Sequence, residues 1–233
     1  KLHEVPMPII LAGHSLGEYA ALVAAKSLSF ESAIQCVAER SRLMQDAVPV
    51  GAGAMAVIVG LIDDEVIQIC ERASQREVCQ IANLNSPGQV VIAGRSGAID
   101  RAIELAKQAN AKIAKRLPVS VPSHCQLMKL AAEKFSMFLE QFDIRSPTIP
   151  IVHNADLTES SDPNAIRTAL SQQLYYPVRW IETIQEMIRK GIDVIVECGP
   201  KKVLSNLNKR IDSSIELIPL SEVTDYSTLL LEK

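Results

Sequence analysis

Residues 7–25 read MPIILAGHSLGEYAALVAA, and this stretch decides the fold class. The apolar run Met7 to Ala12, closed by Gly13, predicts a short buried strand. Leu16 to Ala25 is apolar and alanine-rich, which predicts a helix. Gly13-His14-Ser15-Leu16-Gly17 therefore falls between a strand and a helix, the setting in which Gly-x-Ser-x-Gly forms a nucleophile elbow. The glycines permit a sharp, strained turn, and the Ser15 hydroxyl projects from it beside a helix N-terminus. There the backbone N–H of Leu16 can stabilise an oxyanion. The five-residue motif alone is common by chance, so its weight comes from the flanking strand and helix.

Outward from the elbow, Ser29 is suited to N-cap a second helix that ends near Ala47, before Pro49. Phe30, Ala33, Val37 and Met44 form its apolar face, Arg40 lies at the edge of that arc, and Glu39 and Arg42 point away. From about Gly51 to Leu117 the pattern changes to strand (Ala54 to Gly60), helix (Asp63 to Ala73), strand (Val78 to Ala82), strand (Gln89 to Ala93), helix (Ala98 to Ala109) and strand (Lys112 to Leu117). Asn85-Ser86-Pro87-Gly88 reads as the turn between the middle strands. This β-α-β-β-α-β order is that of a ferredoxin-like split unit, expected to fold as a small insert. After Pro118 longer α/β units return. A helix is expected after Pro122, a strand near Ile149 to Val152, helices near Pro163 to Gln173 and Pro177 to Lys190, a strand at Asp193 to Glu197, a short helix after Pro200 and a last strand near Ile215 to Ile218. The expected class is α/β, with a large subdomain formed by residues 1–50 and 118–233 and a small one by 51–117.

The composition bounds the function. Of 233 residues 48% are apolar, and 24 Lys+Arg against 27 Asp+Glu leave a formal charge of −3. That is enough apolar surface for a substantial core. No apolar stretch approaches the roughly 20 residues that cross a bilayer, and no charged leader with a cleavage site opens the chain. No membrane association and a cytoplasmic location are expected. The mildly acidic balance and 4% aromatic content argue against nucleic-acid binding. Five scattered cysteines without a C-x-x-C pair, and four histidines without i, i+4 spacing, suggest neither a disulfide framework nor a metal site.

A serine nucleophile needs a base. His124 is the leading candidate: Ser123 and Gln126 have capping-box spacing, which predicts His124 in the first turn of a helix, where the dipole favours neutral imidazole. His14 follows the strand into the turn, so its ring is expected to point away from Ser15. His3 lies near a terminus and His153 in a polar loop with no evident partner. Arg40, on the helix directly after the one that begins at the elbow, can approach the same pocket, and a planar guanidinium is suited to a bidentate grip on a carboxylate.

These residues closely resemble the malonyl-CoA:acyl carrier protein transacylases of bacterial type II fatty acid synthesis. The matching segments are GHSLGEYAALVAA (13–25), ERSRLMQDAVP (39–49), NLNSPGQVVIAG (83–94), PVSVPSHCQLM (118–128), QQLYYPVRW (172–180) and ECGPKKVLSNLNKR (197–210). They occur in the family's order and span nearly the whole chain. The resemblance implies an α/β-hydrolase-like large subdomain interrupted by a ferredoxin-like one. It makes Ser15 the acylated nucleophile, His124 its base, the Leu16 N–H an oxyanion donor and Arg40 the malonate clamp. It also implies that the main-chain carbonyl of Gln173, rather than an acid, orients His124, and that Asn85 approaches the site from the small subdomain. His14, beside the nucleophile, is counted with Arg40 and Asn85 among the substrate-binding candidates. Members normally begin with a strand and a Gly-Gln-Gly-Ser-Gln-like loop that supplies a second oxyanion N–H. Nothing like it precedes Gly13, so the N-terminal part of the large subdomain is expected to be missing. Loss of one such donor typically costs on the order of a hundredfold or more in rate.

The implied reaction is ping-pong transfer of malonyl from malonyl-CoA to the phosphopantetheine thiol of acyl carrier protein, with no cofactor and a monomeric enzyme. Acyl carrier protein is strongly acidic as a family, so a local basic rim is expected. Lys112, Lys115 and Arg116 are the first candidates, with Lys201, Lys202, Lys209 and Arg210 second. Three other readings share the elbow: a serine esterase or thioesterase, a trans-acting polyketide acyltransferase, and a non-catalytic carrier-binding module.

Overall fold

The computed structural model describes residues 7–224. In chain order the elements are β1 (Leu11–Ala12), α1 (Gly17–Ala24), α2 (Phe30–Asp46), β2 (Gly53–Val59), α3 (Asp63–Ser74), β3 (Cys79–Ser86), β4 (Gln89–Arg95), α4 (Ser96–Gln108) and β5 (Ile113–Arg116). There follow α5 (Lys129–Leu139), β6 (Ile151–Val152), α6 (Pro163–Gln172), α7 (Trp180–Arg189), β7 (Val194–Glu197), α8 (Val203–Ile211) and β8 (Glu216–Pro219). The chain is thus mixed α/β. His3 lies outside the described residues.

The central sheet has the order β3-β4-β2-β5 and is antiparallel throughout. Its strands show why the alternation of the sequence matters, since successive side chains point to opposite faces. Ala54, Ala56 and Ile58 of β2, with Val90 and Ile92 of β4, pack on one face with Ile69 of α3 and Ile99 of α4. Met55 of β2 and Val91 and Ala93 of β4 turn to the other face, where Cys125 and Leu127 cover them. That second contact brings the His124 segment onto the sheet.

Two short parallel pairs flank this unit: β1 with β6, and β7 with β8. Met7 to Ala12 is not the buried strand that its apolarity predicts. β6 offers only two residues, so the pairing stops at Leu11↔Ile151 and Ala12↔Val152, and Met7 and Ile9 are exposed. Around this pair α1, α2, α5 and α6 enclose the largest core, built on Tyr19, Leu22, Cys36, Phe135 and Leu170. Among the described residues no helix is long and apolar enough to cross a membrane.

Long-range pairing shifts two other boundaries. β3 runs through Asn85 to Ser86, so the hairpin tip is only Pro87-Gly88 rather than the four-residue turn expected. The ladder with β4 carries the strand that far, pairing Ser86 with Gln89, while Val178 pairs with the free edge of β3, accepting from the Leu84 N–H at 2.9 Å and donating to the Ala82 carbonyl at 2.9 Å. On α2 the buried residues are Ala33, Cys36, Arg40, Leu43 and Met44, whereas Phe30 is exposed. α2 packs against both α1 and α5, and Arg40 sits within its buried arc rather than at the edge.

Candidate active site

The turn after β1 places Ser15 at φ 52°, in the left-handed region that costs non-glycine residues energy. Two contacts hold it there. Asn154, just after β6, accepts from the Ser15 N–H at 2.6 Å and donates through Nδ2 to the Gly13 carbonyl at 2.7 Å. The two motif glycines do different work. A Cβ on Gly13 would lie 2.0 Å from the Gly17 carbonyl carbon, so the first turn of α1 closes directly over it. A Cβ on Gly17 would meet nothing within 4 Å beyond its own helix and chain neighbours, so the side of α1 it occupies is open. Leu16 is half exposed at the lip, and its N–H makes no hydrogen bond within the described residues.

His124 reaches Ser15 from the opposite wall. Its Nδ1 lies 2.7 Å from the Gln173 carbonyl and its Nε2 2.8 Å from Ser15 Oγ. A carbonyl only accepts, so Nδ1 carries the proton, and the free lone pair of Nε2 faces the serine hydroxyl. Burial, and next the positive charge of Arg40, hold the His124 pKa down at about 3, against the opposing effect of the Gln173 carbonyl. The imidazole is therefore a neutral base. The capping box expected around it does not form: the Gln126 N–H is taken by the Gln80 side chain at 2.8 Å, and helical geometry begins only at Gln126. His124 stands before the helix at φ 60°, so burial and Arg40, not a helix dipole, keep it neutral.

Arg40 is buried to 6% exposure and aims into the same point. Its Nη2 donates to Ser15 Oγ at 3.1 Å and to Gln173 Oε1 at 3.1 Å. Nε is buried without a partner, and Nη1 makes no hydrogen bond among the described residues. Desolvation lowers its pKa, opposed by Tyr19 and Glu18. A buried guanidinium with unused donors is suited to receive a carboxylate. An imidazole, a serine hydroxyl and a guanidinium thus converge within hydrogen-bond distance.

Residues 6–225 match the acyl transferase domain family. The chain is 49% identical to the malonyl CoA-acyl carrier protein transacylase of Haemophilus influenzae over 95% of its own length and 71% of that protein's. It is 47% identical to that of Escherichia coli K12, over 96% and 72%. The chain belongs to the malonyl CoA-acyl carrier protein transacylase family. Among solved structures, the transacylase of Coxiella burnetii superposes with a TM-score of 0.92 at 50% identity, covering 97% of this chain and 70% of that one. A malonyl-transacylase solved in complex with a type II polyketide acyl-carrier protein gives a TM-score of 0.95 at 44% identity, covering 97% and 73%.

The remaining transacylase residues fall into place unevenly. His14 points away from Ser15, its Nε2 2.9 Å from Asn85 Oδ1 on β3 and its ring 5.5 Å from that of Trp180. Burial lowers its pKa, so it is a neutral strut between the elbow and the sheet. His153, which has no evident partner in the sequence, is fully buried with Nδ1 2.6 Å from Glu18 Oε1. Glu18, His153 and Asn154 are the site residues that sequence reasoning missed. The available signal was a carboxylate at position 18 inside the apolar, alanine-rich helix.

The basic candidates do not form one patch. Arg116 is held by Asp100 of α4 through paired contacts of 2.7 Å, and the Lys112 stem lies over Gly60. Lys115 is exposed and, paired with Val57, faces the side of the sheet opposite α3 and α4. In the second group Lys202 pairs with Glu222 at 2.7 Å and Arg210 donates to Gln89 of β4 at 2.9 Å, while Lys201 and Lys209 are exposed.

Proposed function

We propose that this chain transfers malonyl from malonyl-CoA to the phosphopantetheine thiol of acyl carrier protein through a malonyl ester on Ser15. The observation that carries the reading is that one hydroxyl contacts both a neutral buried imidazole and a guanidinium with unused donors. The names of the relatives support it, as does the likeness to a transacylase bound to an acyl-carrier protein.

In the first half-reaction His124 Nε2 takes the Ser15 proton as Oγ attacks the thioester carbon. The Leu16 N–H holds the oxyanion, the C–S bond breaks, and the imidazolium returns the proton to the departing CoA thiolate. Arg40 grips the distal malonyl carboxylate, so an acetyl group forfeits that contact. In the second half-reaction the carrier thiol gives its proton to His124 and its sulfur attacks the ester carbon, the C–Oγ bond breaks, and the imidazolium returns the proton to Ser15 Oγ. All protons pass through one imidazole, and the reaction requires no cofactor and a single copy of the chain. Asn85 and His14 wall the acyl cleft on the side of the sheet. Lys115, the face-directed cation of the first basic group, is the contact for an acidic carrier, whereas Arg116 is engaged by Asp100 on the helix side of the sheet and Lys112 covers Gly60.

In fold terms, residues 51–117 are read as a ferredoxin-like insert in an α/β-hydrolase-like frame, supported by the strand order β3-β4-β2-β5 with both helices on one face.

Intact-mass measurement after brief incubation with malonyl-CoA tests the function. A malonyl adduct that is absent with acetyl-CoA and abolished by Ser15→Ala is expected. Free malonate without transfer to carrier would make the protein a hydrolase, and neither adduct nor malonate from folded protein would refute the reading. The polyketide carrier in the matched complex favours one further comparison, kcat/KM for fatty-acid against polyketide carriers.

A further inference from the structure

A carboxylate buried to 0% exposure in the first turn of α1 requires an account, because removing such a charge from water is costly unless its oxygens are fully used. Glu18 has that use. Oε2 accepts from Gln173 Nε2 at 2.6 Å and from the Asn154 N–H at 3.3 Å, and Oε1 accepts from His153 Nδ1 at 2.6 Å. Each partner leads back to the reacting atoms. Gln173 gives its second amide proton to the Ser15 carbonyl at 3.1 Å, its Oε1 accepts from Arg40, and its main-chain carbonyl fixes the His124 tautomer. Asn154 holds the peptides on both sides of the strained nucleophile.

We infer that Glu18 is the positioning acid of this site. It does for the Ser15–His124 dyad what the third member of a triad does elsewhere, but one residue removed, through Gln173 rather than through the imidazole. The amide orientations agree with this. Gln173 turns its NH2 toward two acceptors, the Glu18 carboxylate and the Ser15 carbonyl, and its oxygen toward the Arg40 guanidinium. Without Glu18 the favoured end of that amide is no longer specified, and a reversed Gln173 would set NH2 against Arg40. The inference rests on the dyad reading proposed above.

Glu18→Gln keeps the shape and removes one acceptor. Its NH2 must then face either Gln173 Nε2–H or His153 Nδ1–H. If His153 shifts its proton to escape the clash, that proton arrives at Nε2, which is buried with no acceptor. Either outcome leaves a buried donor unpaired and loosens the network.

The test measures the rate constant for malonylation of Ser15 by rapid quench and intact mass on the full chain. Wild type is compared with Glu18→Gln, Gln173→Met and the double variant, with the unfolding midpoint of each. Gln173→Met retains the carbonyl that binds His124 but breaks the link to Glu18, and it can be read even if the Glu18 variant does not fold. Each single variant is expected to slow acylation by about tenfold or more, the scale of a small misplacement of reacting groups. The double variant is expected to be no slower than the slower single, because both changes break one chain of contacts. The His124 Nδ1–H proton resonance, identified by its loss in His124→Asn, is expected to shift in Glu18→Gln, which a purely structural carboxylate would not cause. Acylation within twofold of wild type in either single variant, or losses that multiply in the double, overturns the inference. Absence of a malonyl adduct in wild type overturns the dyad reading, and this inference with it.

Discussion

Acidification from pH 7 to pH 5 is expected to cost this protein about 2 kcal/mol through His124 alone, because an unfolded histidine titrates near 6.5 and the buried one only at about 3. The sign follows from proton counting. Above pH 6.5 the ring is neutral in both states and contributes no pH dependence. Below it the unfolded chain binds a proton that the folded chain refuses, so stability falls by about 1.4 kcal/mol per pH unit until the folded pKa is reached. At 3% exposure the ring is not screened by water, so the shift carries its full weight. Other groups whose proton binding differs between the folded and unfolded chain contribute as well, and the His124→Asn variant subtracts them. Urea unfolding at both pH values, followed by far-UV circular dichroism and by fluorescence of the single, buried Trp180, supplies the free energies. Wild type is expected to lose about 2 kcal/mol more than His124→Asn between pH 7 and pH 5. Equal losses would mean that the native ring charges freely, and the assignment of His124 as a neutral, desolvated base would fall.

Arg40→Ala removes the cation that contacts the nucleophile and is expected to lower kcat/KM for malonyl-CoA by about a hundredfold to a thousandfold, the scale of a broken buried ion pair, with no loss for acetyl-CoA, whose reaction gains from the more basic His124. Parallel losses for the two thioesters would refute the clamp. Gly13→Ala is expected to abolish soluble expression, since its methyl would lie within 2.1 Å of α1 backbone, whereas Gly17→Ala should fold with a melting temperature near wild type. A folded Gly13→Ala protein would show that the elbow is less tightly closed. Lys115→Glu is expected to raise KM for acyl carrier protein at low salt and to leave malonyl-CoA acylation unchanged; an unchanged KM would remove that surface from the docking site.

The parts of the site that could be read from the sequence are those set by short-range chemistry. The elbow needs a strand, two glycines and a helix within some twenty residues, and Ser29 caps α2 with its side chain accepting from the Ser32 N–H. The parts that could not be read depend on distant partners. Ser123 and Gln126 fail as a capping box because Gln80, on a strand of the central sheet, takes the donor first. Asn85 is strand rather than turn because the ladder with β4 continues past it, through an irregularity, to Ser86 opposite Gln89. His153 finds in Glu18 a partner 135 residues away, a pairing that spacing cannot reveal.

On the proposed reading, Arg40 and His124 also bear on one another in a way that gives the substrate's charge a second role. The resting imidazole is depressed first by burial and then by the guanidinium, so it is a weak base for a serine hydroxyl. A malonyl carboxylate seated on the unused donors of Arg40 offsets that positive charge and removes one of the two main causes of the depression. His124 then gains basicity as the thioester arrives, and the developing oxyanion raises it further. Acetyl-CoA brings no carboxylate and leaves the imidazole depressed. Discrimination between the two acyl groups therefore draws on the strength of the base as well as on the clamp, and a neutral residue in place of Arg40 weakens binding of the charged acyl group while raising the resting basicity of His124.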